Sequence, residues 1–68
     1  MNKSTRERYD NLPAIKQRKV RGEVMAELGY KYRSSFYDLL NGKIKRLTAV
    51  QSDVLHRAIL RYENNINL

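Results

Sequence analysis

The chain has 68 residues, no cysteine, one histidine, and 14 Lys and Arg residues against 7 Asp and Glu, for a formal charge of +7. A chain of this length forms one domain, and its composition excludes a disulfide framework and a metal site built from thiolates or several histidines. No apolar run approaches the ~20 residues of a membrane span, so we expect no signal peptide, no membrane partner and a cytoplasmic location.

The excess positive charge is concentrated in the middle of the chain. Residues 1–15 have a net charge of +1 and residues 47–68 a net charge of zero, whereas residues 16–46 carry nine basic and three acidic groups, for a net +6. A polyanion is the natural partner of such a charge distribution. The alternative is a solvated surface that serves only solubility.

Two helices are predicted on either side of Pro13. Ser4 and Glu7 have the spacing of a capping box, which starts a short N-terminal helix over residues 5–11. Pro13 suits the first turn of a second helix, because proline lacks the N–H group that this turn leaves unpaired. We place the second helix at residues 13–28.

The second helix has one apolar stripe, because Val20, Val24 and Leu28 recur every four residues. Charged side chains occupy another face. Lys19 and Glu23 have the spacing of an ion pair on a helix surface. We therefore expect this helix to bury one side and to keep the Lys19–Glu23 pair in solvent.

Glycines mark the interior and the end of the second helix. Gly22 costs about 1 kcal/mol in a helix interior relative to alanine, and it either permits close packing or divides the segment; we predict one continuous helix. Gly29 suits the left-handed conformation that ends a helix. A short turn then leads to a third helix over residues 34–41, which the Asn41-Gly42 pair ends.

The third helix is only about two turns long, and a helix so short is unstable alone in water. At 100° per residue its apolar side chains share one face, formed by Phe36, Leu39 and Leu40. The polar side chains lie elsewhere, with Ser34, Asp38 and Asn41 opposite and Ser35 and Tyr37 on the flanks. We expect the apolar face to enter the core and the polar face to remain available for binding.

A fourth helix is predicted over residues 49–62, where Thr48 and Gln51 form a second capping-box pattern. Its wide apolar arc contains Val50, Val54, Leu55, Ala58, Ile59 and Tyr62. Leu60 lies outside this arc, either as a single exposed leucine or as a contact with a second molecule. Residues 64–68 are predicted to fray. No strand pattern competes, so the sequence predicts an all-α, four-helix domain.

Side chains suited to catalysis are few. His56 lies on the polar side of the fourth helix, with Asp53 as its one acidic neighbour at helical spacing, and the chain leaves little volume for a pocket. The GKIK stretch after Asn41 lacks the first glycine and the hydroxyl of a phosphate-binding loop. We therefore predict no enzyme activity, no cofactor, no metal site and no small-molecule ligand.

Nucleic-acid binding fits the pattern better. The second and third helices, joined by a short turn containing Gly29, are the frame of a helix-turn-helix, in which a short helix enters the major groove. Cationic side chains before and after that helix suit phosphate contacts on both walls of a groove. The predicted phosphate contacts are Lys31, Tyr32, Arg33, Lys43, Lys45 and Arg46, with Arg18 and Arg21 as either further contacts or plain surface groups.

The segment ELGYKYRSSFYDLLNGK resembles the helix-turn-helix core of the lambda-repressor/Cro class of bacterial and phage regulators. In that class an apolar helix ends at a glycine, a short turn follows, and the recognition helix ends in a pair such as Asn-Gly. The resemblance covers roughly residues 20–62. The chain departs from the class in its longer spacing from Gly29 to Gly42, in Met25 where a small residue is usual, and in a first helix broken at Pro13.

The resemblance implies a small transcriptional regulator, such as a repressor, of bacterial or phage origin. Such a protein binds double-stranded DNA sequence-specifically through its recognition helix, here at residues 34–41. Proteins with so short a recognition helix usually gain affinity by binding two half-sites as homodimers. The base contacts that the resemblance implies are Ser34, Ser35, Tyr37, Asp38 and Asn41.

Three of these side chains have a second interpretation. Asn41 pairs with adenine or caps the end of its helix, and Tyr37 contacts a phosphate or covers the edge of the core. Asp38 accepts from a cytosine amino group or, as we favour, holds Arg33 or a neighbouring lysine in place.

Two other functions are kept as alternatives. One is a protein-interaction or virion-associated phage module that uses the basic face on an acidic protein partner. The other is RNA binding through shape and phosphate contacts. Tyr30 and Tyr32 would stack on bases if the target were single-stranded, but we expect both to pack, as aromatic side chains usually do in a small helical domain.

Overall fold

The computed structural model describes residues 4–64, which form four helices. They are α1 (Thr5–Asp10), α2 (Ala14–Leu28), α3 (Arg33–Leu40) and α4 (Ala49–Asn64). No strand occurs within residues 4–64. The predicted all-α class and helix order are therefore confirmed, with helix ends close to those predicted.

The C-terminal helix differs most from its predicted extent. α4 continues through Asn64, which the sequence placed in a frayed tail, and the rest of that predicted tail, residues 65–68, lies outside the described residues. Neither α4 nor any other described helix combines the length and apolar character that crossing a bilayer requires.

The short helix α1 is fastened to α2 by the side chain of Gln17. Ser4 caps the start of α1 by accepting a hydrogen bond from the Glu7 N–H at 3.2 Å. At the other end, the Gln17 amide donates to three carbonyl oxygens that the helix end leaves exposed, those of Tyr9, Asp10 and Leu12, at 3.0–3.2 Å. Pro13 takes the N-cap position of α2 rather than its first turn. The break at Pro13 is thus bridged by Gln17.

The helix α2 runs without interruption through Gly22. The proposal that Gly22 permits close packing is wrong, because a Cβ added there would meet nothing within 4 Å. Gly29 has φ 71°, the left-handed conformation predicted for it, and the Tyr30 N–H donates to the Met25 carbonyl at 2.9 Å. The end of α2 is therefore closed by backbone bonds that depend on this glycine.

All four helices contribute to one core. Its buried members are Tyr9, Leu12, Val20, Val24, Phe36, Leu39, Leu40, Leu55, Ala58, Ile59 and Tyr62. Phe36 is fully buried, at 0% exposure, and its ring centroid lies 5.5 Å from that of Tyr9. The predicted apolar face of α3 is therefore confirmed as part of the core.

Two predicted packing residues lie outside this core. Val50 is 67% exposed, and the buried side chains of α4 begin at Leu55. Tyr32 is 70% exposed, whereas Tyr30 packs against the core as predicted.

Glu23 forms its ion pair with a residue on another helix rather than with a neighbour on α2. The predicted Lys19–Glu23 pair is wrong, since the Glu23 carboxylate accepts from Arg61 and from the Tyr62 hydroxyl, both on α4. Two donors on a packed helix outcompete one flexible, exposed lysine on the same helix. On the other side of α4, Arg8 donates two hydrogen bonds to Glu63, at 2.8 and 3.1 Å, and thereby holds α1.

The two glycines of α2 give a paired stability prediction. Gly22→Ala should raise the free energy of unfolding by about 0.5–1 kcal/mol, because alanine has the higher helix propensity and the added methyl group has open space. Gly29→Ala should lower it by about 1–2 kcal/mol, since its left-handed φ is unfavourable for alanine. Urea unfolding of both variants measures the two effects, and a destabilised Gly22→Ala protein would contradict the open surface described at this position.

Candidate nucleic-acid interface

The turn between α2 and α3 is anchored to α4 through Gln51. The Gln51 side-chain amide donates to the Tyr30 hydroxyl at 3.2 Å. Its oxygen accepts from the Thr48 N–H at 3.0 Å, while the Gln51 N–H donates to the Thr48 hydroxyl at 3.2 Å, which confirms the predicted capping box. One side chain therefore starts α4 and fixes the position of the turn that precedes α3.

The basic loop after α3 is held at both its start and its middle. Gly42 has φ 71°, and the Lys43 N–H donates to the Asp38 carbonyl at 2.8 Å. Ile44 is half-buried against the core, whereas Lys43, Lys45 and Arg46 are exposed. The loop therefore anchors one apolar side chain and leaves its cations in solvent.

The outer face of α3 is a polar stripe. Ser34, Asp38 and Asn41 are exposed and follow one another at intervals of four and three residues, while Ser35 and Tyr37 are half-buried beside them. Residues at these intervals lie on one side of a helix. We call Ser34, Asp38 and Asn41 the α3 stripe. Of the base contacts predicted from the sequence, these three share a solvent-facing surface.

Tyr37 lies at the edge of the core, one of the two positions considered for it. Its ring is 5.3 Å from that of Phe36 in an edge-on arrangement, and its hydroxyl accepts from Arg21 at 3.3 Å. This hydrogen bond lowers the pKa of Tyr37. The Arg6 guanidinium lies 5.8 Å from the centre of the same ring. Arg21, a predicted phosphate contact, is therefore half-buried and engaged with Tyr37.

Asn41 is the C-cap residue of α3, one of the two roles considered for it, and its N–H donates to the Tyr37 carbonyl at 2.9 Å. The Asn41 side chain accepts from Arg6 at 3.5 Å, and the left-handed Gly42 follows. The role favoured for Asp38 is wrong, because its carboxylate makes no ion pair with Arg33 or a lysine within the described chain. Arg33 is five residues away, so the two side chains do not share a face of α3.

Most cations of the described chain fall into two groups, apart from Lys16, which donates to the Tyr62 carbonyl, and Arg21, which donates to Tyr37. On α1 and α4, Arg6, Arg8, Arg57 and Arg61 each pair with a carboxylate. A second group is exposed and, within residues 4–64, contacts no carboxylate; we call these residues the unpaired cations. They are Arg18, Lys19, Lys31, Arg33, Lys43, Lys45 and Arg46. All of them lie between the first half of α2 and the loop after α3, so the positive charge that carboxylates leave uncompensated surrounds α3 in the sequence.

Other kinds of site receive little support from the described residues. No group of three or more acidic or histidine side chains within residues 4–64 is arranged to hold a metal ion. A groove of about 450 Å³ lies between α2 and α4, lined by residues such as Glu27, Val54 and Arg57. No α3 residue lines this groove, so it is separate from the α3 stripe.

No protein-family model matches the chain, and neither the curated proteins nor the solved structures include a match.

The tyrosines at the junction of α1 and α3 give a pH prediction. Burial raises the pKa of Tyr9 to about 12, and the adjacent Tyr37 adds to the rise. The unfolded chain has the ordinary value of about 10, so the unfolded state releases this proton first. The stability contributed by neutral Tyr9 is therefore complete below about pH 10 and is lost as the pH rises toward about 12.

Urea unfolding at intervals between about pH 8 and pH 12 measures this loss. Tyr9→Phe should make the decline shallower, although not flat, because a hydrogen bond to Glu23 also raises the pKa of Tyr62. An equally steep decline in Tyr9→Phe would show that Tyr9 does not titrate in this range.

Proposed function

We propose that this protein binds double-stranded DNA with α3 in the major groove, as a small cytoplasmic transcriptional regulator of bacterial or phage origin. The observation that carries the proposal is that the unpaired cations all lie on α2, on α3 or in the segments before and after α3. An arginine already paired with a carboxylate must give up that partner to bind a phosphate, whereas an unpaired cation releases only solvent and counterions. The division of cations between the two groups thus favours α2, α3 and the basic loop as the surface for a polyanion.

The dimensions of α3 suit the groove. An α-helix with its side chains is about 10–12 Å in diameter, and the major groove, about 12 Å wide, admits an element of that diameter. The buried Phe36, Leu39 and Leu40 hold the back of the helix against the core. The α3 stripe then supplies hydroxyl, carboxylate and amide groups on the side that faces the bases.

The α3 stripe supports specific roles in this proposal. Asp38 has no cationic partner among the described residues, so its carboxylate is available to accept from a cytosine amino group. Asn41 is exposed and its amide can pair with adenine. Because a single helix of this length reads few base pairs, we propose that a homodimer binds two half-sites.

An acidic protein is the second candidate partner. Leu47 and Val50 are exposed large apolar side chains directly after the basic loop. A surface that combines apolar side chains with adjacent cations resembles a protein-binding site more than a purely polar surface does. Binding experiments with DNA therefore need to separate sequence preference from general attraction to negative charge.

Arg33 and Arg57 form a matched pair of variants for testing the DNA surface. Both are exposed arginines, but Arg33 is unpaired at the start of α3 whereas Arg57 pairs with Asp53 on α4 at 2.9 Å. Arg33→Ala should weaken duplex binding and reduce the slope of log affinity against log salt concentration by about 1, as expected for one lost phosphate contact. Arg57→Ala, with the same change in formal charge, should leave both quantities near their wild-type values.

Equilibrium titrations at several salt concentrations measure this difference. Equal losses in the two variants would indicate attraction to total charge and would count against the proposed surface. Retention of full affinity in Arg33→Ala would remove the N-terminal end of α3 from the interface.

Selection from a random pool of duplexes tests sequence readout. The wild-type protein should enrich one sequence over random competitor, and Ser34→Ala and Asn41→Ala should change the preferred bases while leaving the salt slope unchanged. Each lost base contact should reduce discrimination by about 1–3 kcal/mol. Failure to enrich any duplex, together with tighter binding to an acidic protein surface or to RNA, would replace the proposal with one of those partners.

A further inference from the structure

Tyr32 is the one tyrosine whose side chain neither packs against the core nor forms a hydrogen bond among the described residues. The chain has five tyrosines, and the other four are buried or half-buried with their hydroxyl groups bonded. The partners of those hydroxyl groups are the Gln17 carbonyl for Tyr9, Gln51 for Tyr30, Arg21 for Tyr37 and Glu23 for Tyr62. Tyr32 is instead 70% exposed, the highest value among the large apolar side chains in solvent.

The helix itself gives no reason for a tyrosine at this position. Tyr32 is the N-cap residue of α3, with φ −123° and ψ 142°, and its side chain makes no capping hydrogen bond. Serine, threonine, aspartate or asparagine would stabilise the helix at an N-cap by accepting a hydrogen bond from its first turn. Neither packing nor capping therefore accounts for the aromatic ring, and it remains available to a binding partner.

The location of Tyr32 indicates what the ring would meet. The inference rests on the proposed function, in which α3 lies in the major groove. The N-terminal residues of a recognition helix contact base edges there. Tyr32 stands between the unpaired cations Lys31 and Arg33, both suited to the phosphates on either side. The apolar group that the major groove offers to such a ring is the C5 methyl of thymine.

We infer that Tyr32 is a specificity-determining residue whose ring contacts a thymine methyl group at the N-terminal end of α3. A hydroxyl contact with a phosphate was the expectation from the sequence, but Lys31 and Arg33 already supply two charged groups there. Stacking on an unpaired base is also less favoured. Single-strand binding surfaces use successive aromatic side chains, and the neighbouring Tyr30 is held by Gln51 and the core.

Replacing single thymines by deoxyuridine tests the contact, because it removes only the methyl group. In the duplex selected by the wild-type protein, one such replacement in a single half-site should weaken binding about fourfold, the factor for losing one buried methyl-sized group. The same replacement in both half-sites should weaken binding about sixteenfold. Tyr32→Ala should bind the thymine and deoxyuridine duplexes equally. Tyr32→Phe should retain the preference, since it keeps the ring and loses only the hydroxyl group.

Two controls separate the ring contact from other effects. Val50→Ala removes an exposed apolar side chain of similar exposure on α4 and should keep the full thymine preference. The salt slope of Tyr32→Ala should equal that of the wild type, whereas Lys31→Ala should lower it by about 1. Thermal unfolding of each variant establishes that the fold is intact.

The outcomes distinguish this inference from the proposal on which it rests. If the wild type selects a duplex but no thymine replacement changes its affinity, DNA binding stands and the methyl contact is wrong. A preference lost equally in Tyr32→Phe and Tyr32→Ala would assign the role to the hydroxyl group and overturn the ring contact. If no duplex is selected at all, the proposed function fails and the inference fails with it.

Discussion

The burial of one face of α3 is the constraint on which the rest of the structure depends. A helix of eight residues does not hold together alone in water, and Phe36, Leu39 and Leu40 supply the apolar area that ties it to the other helices. Full burial of a phenylalanine contributes about 1.5–3 kcal/mol. Because the buried face fixes the rotation of the helix, the same contacts determine that Ser34, Asp38 and Asn41 face solvent.

The carboxylates of the domain create the electrostatic asymmetry that the net charge alone does not describe. Arg8 and Glu63 connect α1 to α4, and Arg61 and Glu23 connect α4 to α2. These pairs neutralise charge where helices meet. The unpaired cations contact no carboxylate among the described residues, so the positive charge is exposed on the segment that also carries the α3 stripe.

Patterns along single helices predicted much of the fold and the position of the candidate site. The apolar stripes of α2 and α3, the left-handed Gly29 and the caps at Ser4 and Thr48 all depend on residues within a few positions of one another, and the structure contains each of them. The predicted Lys19–Glu23 pair is wrong, because the four-residue spacing rule considers side chains on one helix only. The donors that Glu23 binds lie on α4. The predicted pairing of Asp38 with Arg33 is wrong because the two side chains lie on different faces of α3.

The sequence by itself determined the order and approximate extent of the helices, most of the apolar face of each, and where the charge accumulates, because these properties follow from local propensity and periodicity. The tertiary structure decided which polar groups found partners. Gln17 reaches back to the end of α1, Glu23 turns to α4, and Arg21 is held by Tyr37. Such contacts depend on how helices cross, and Arg8 and Glu63 are separated by 55 residues. No pattern within one helix specifies that crossing.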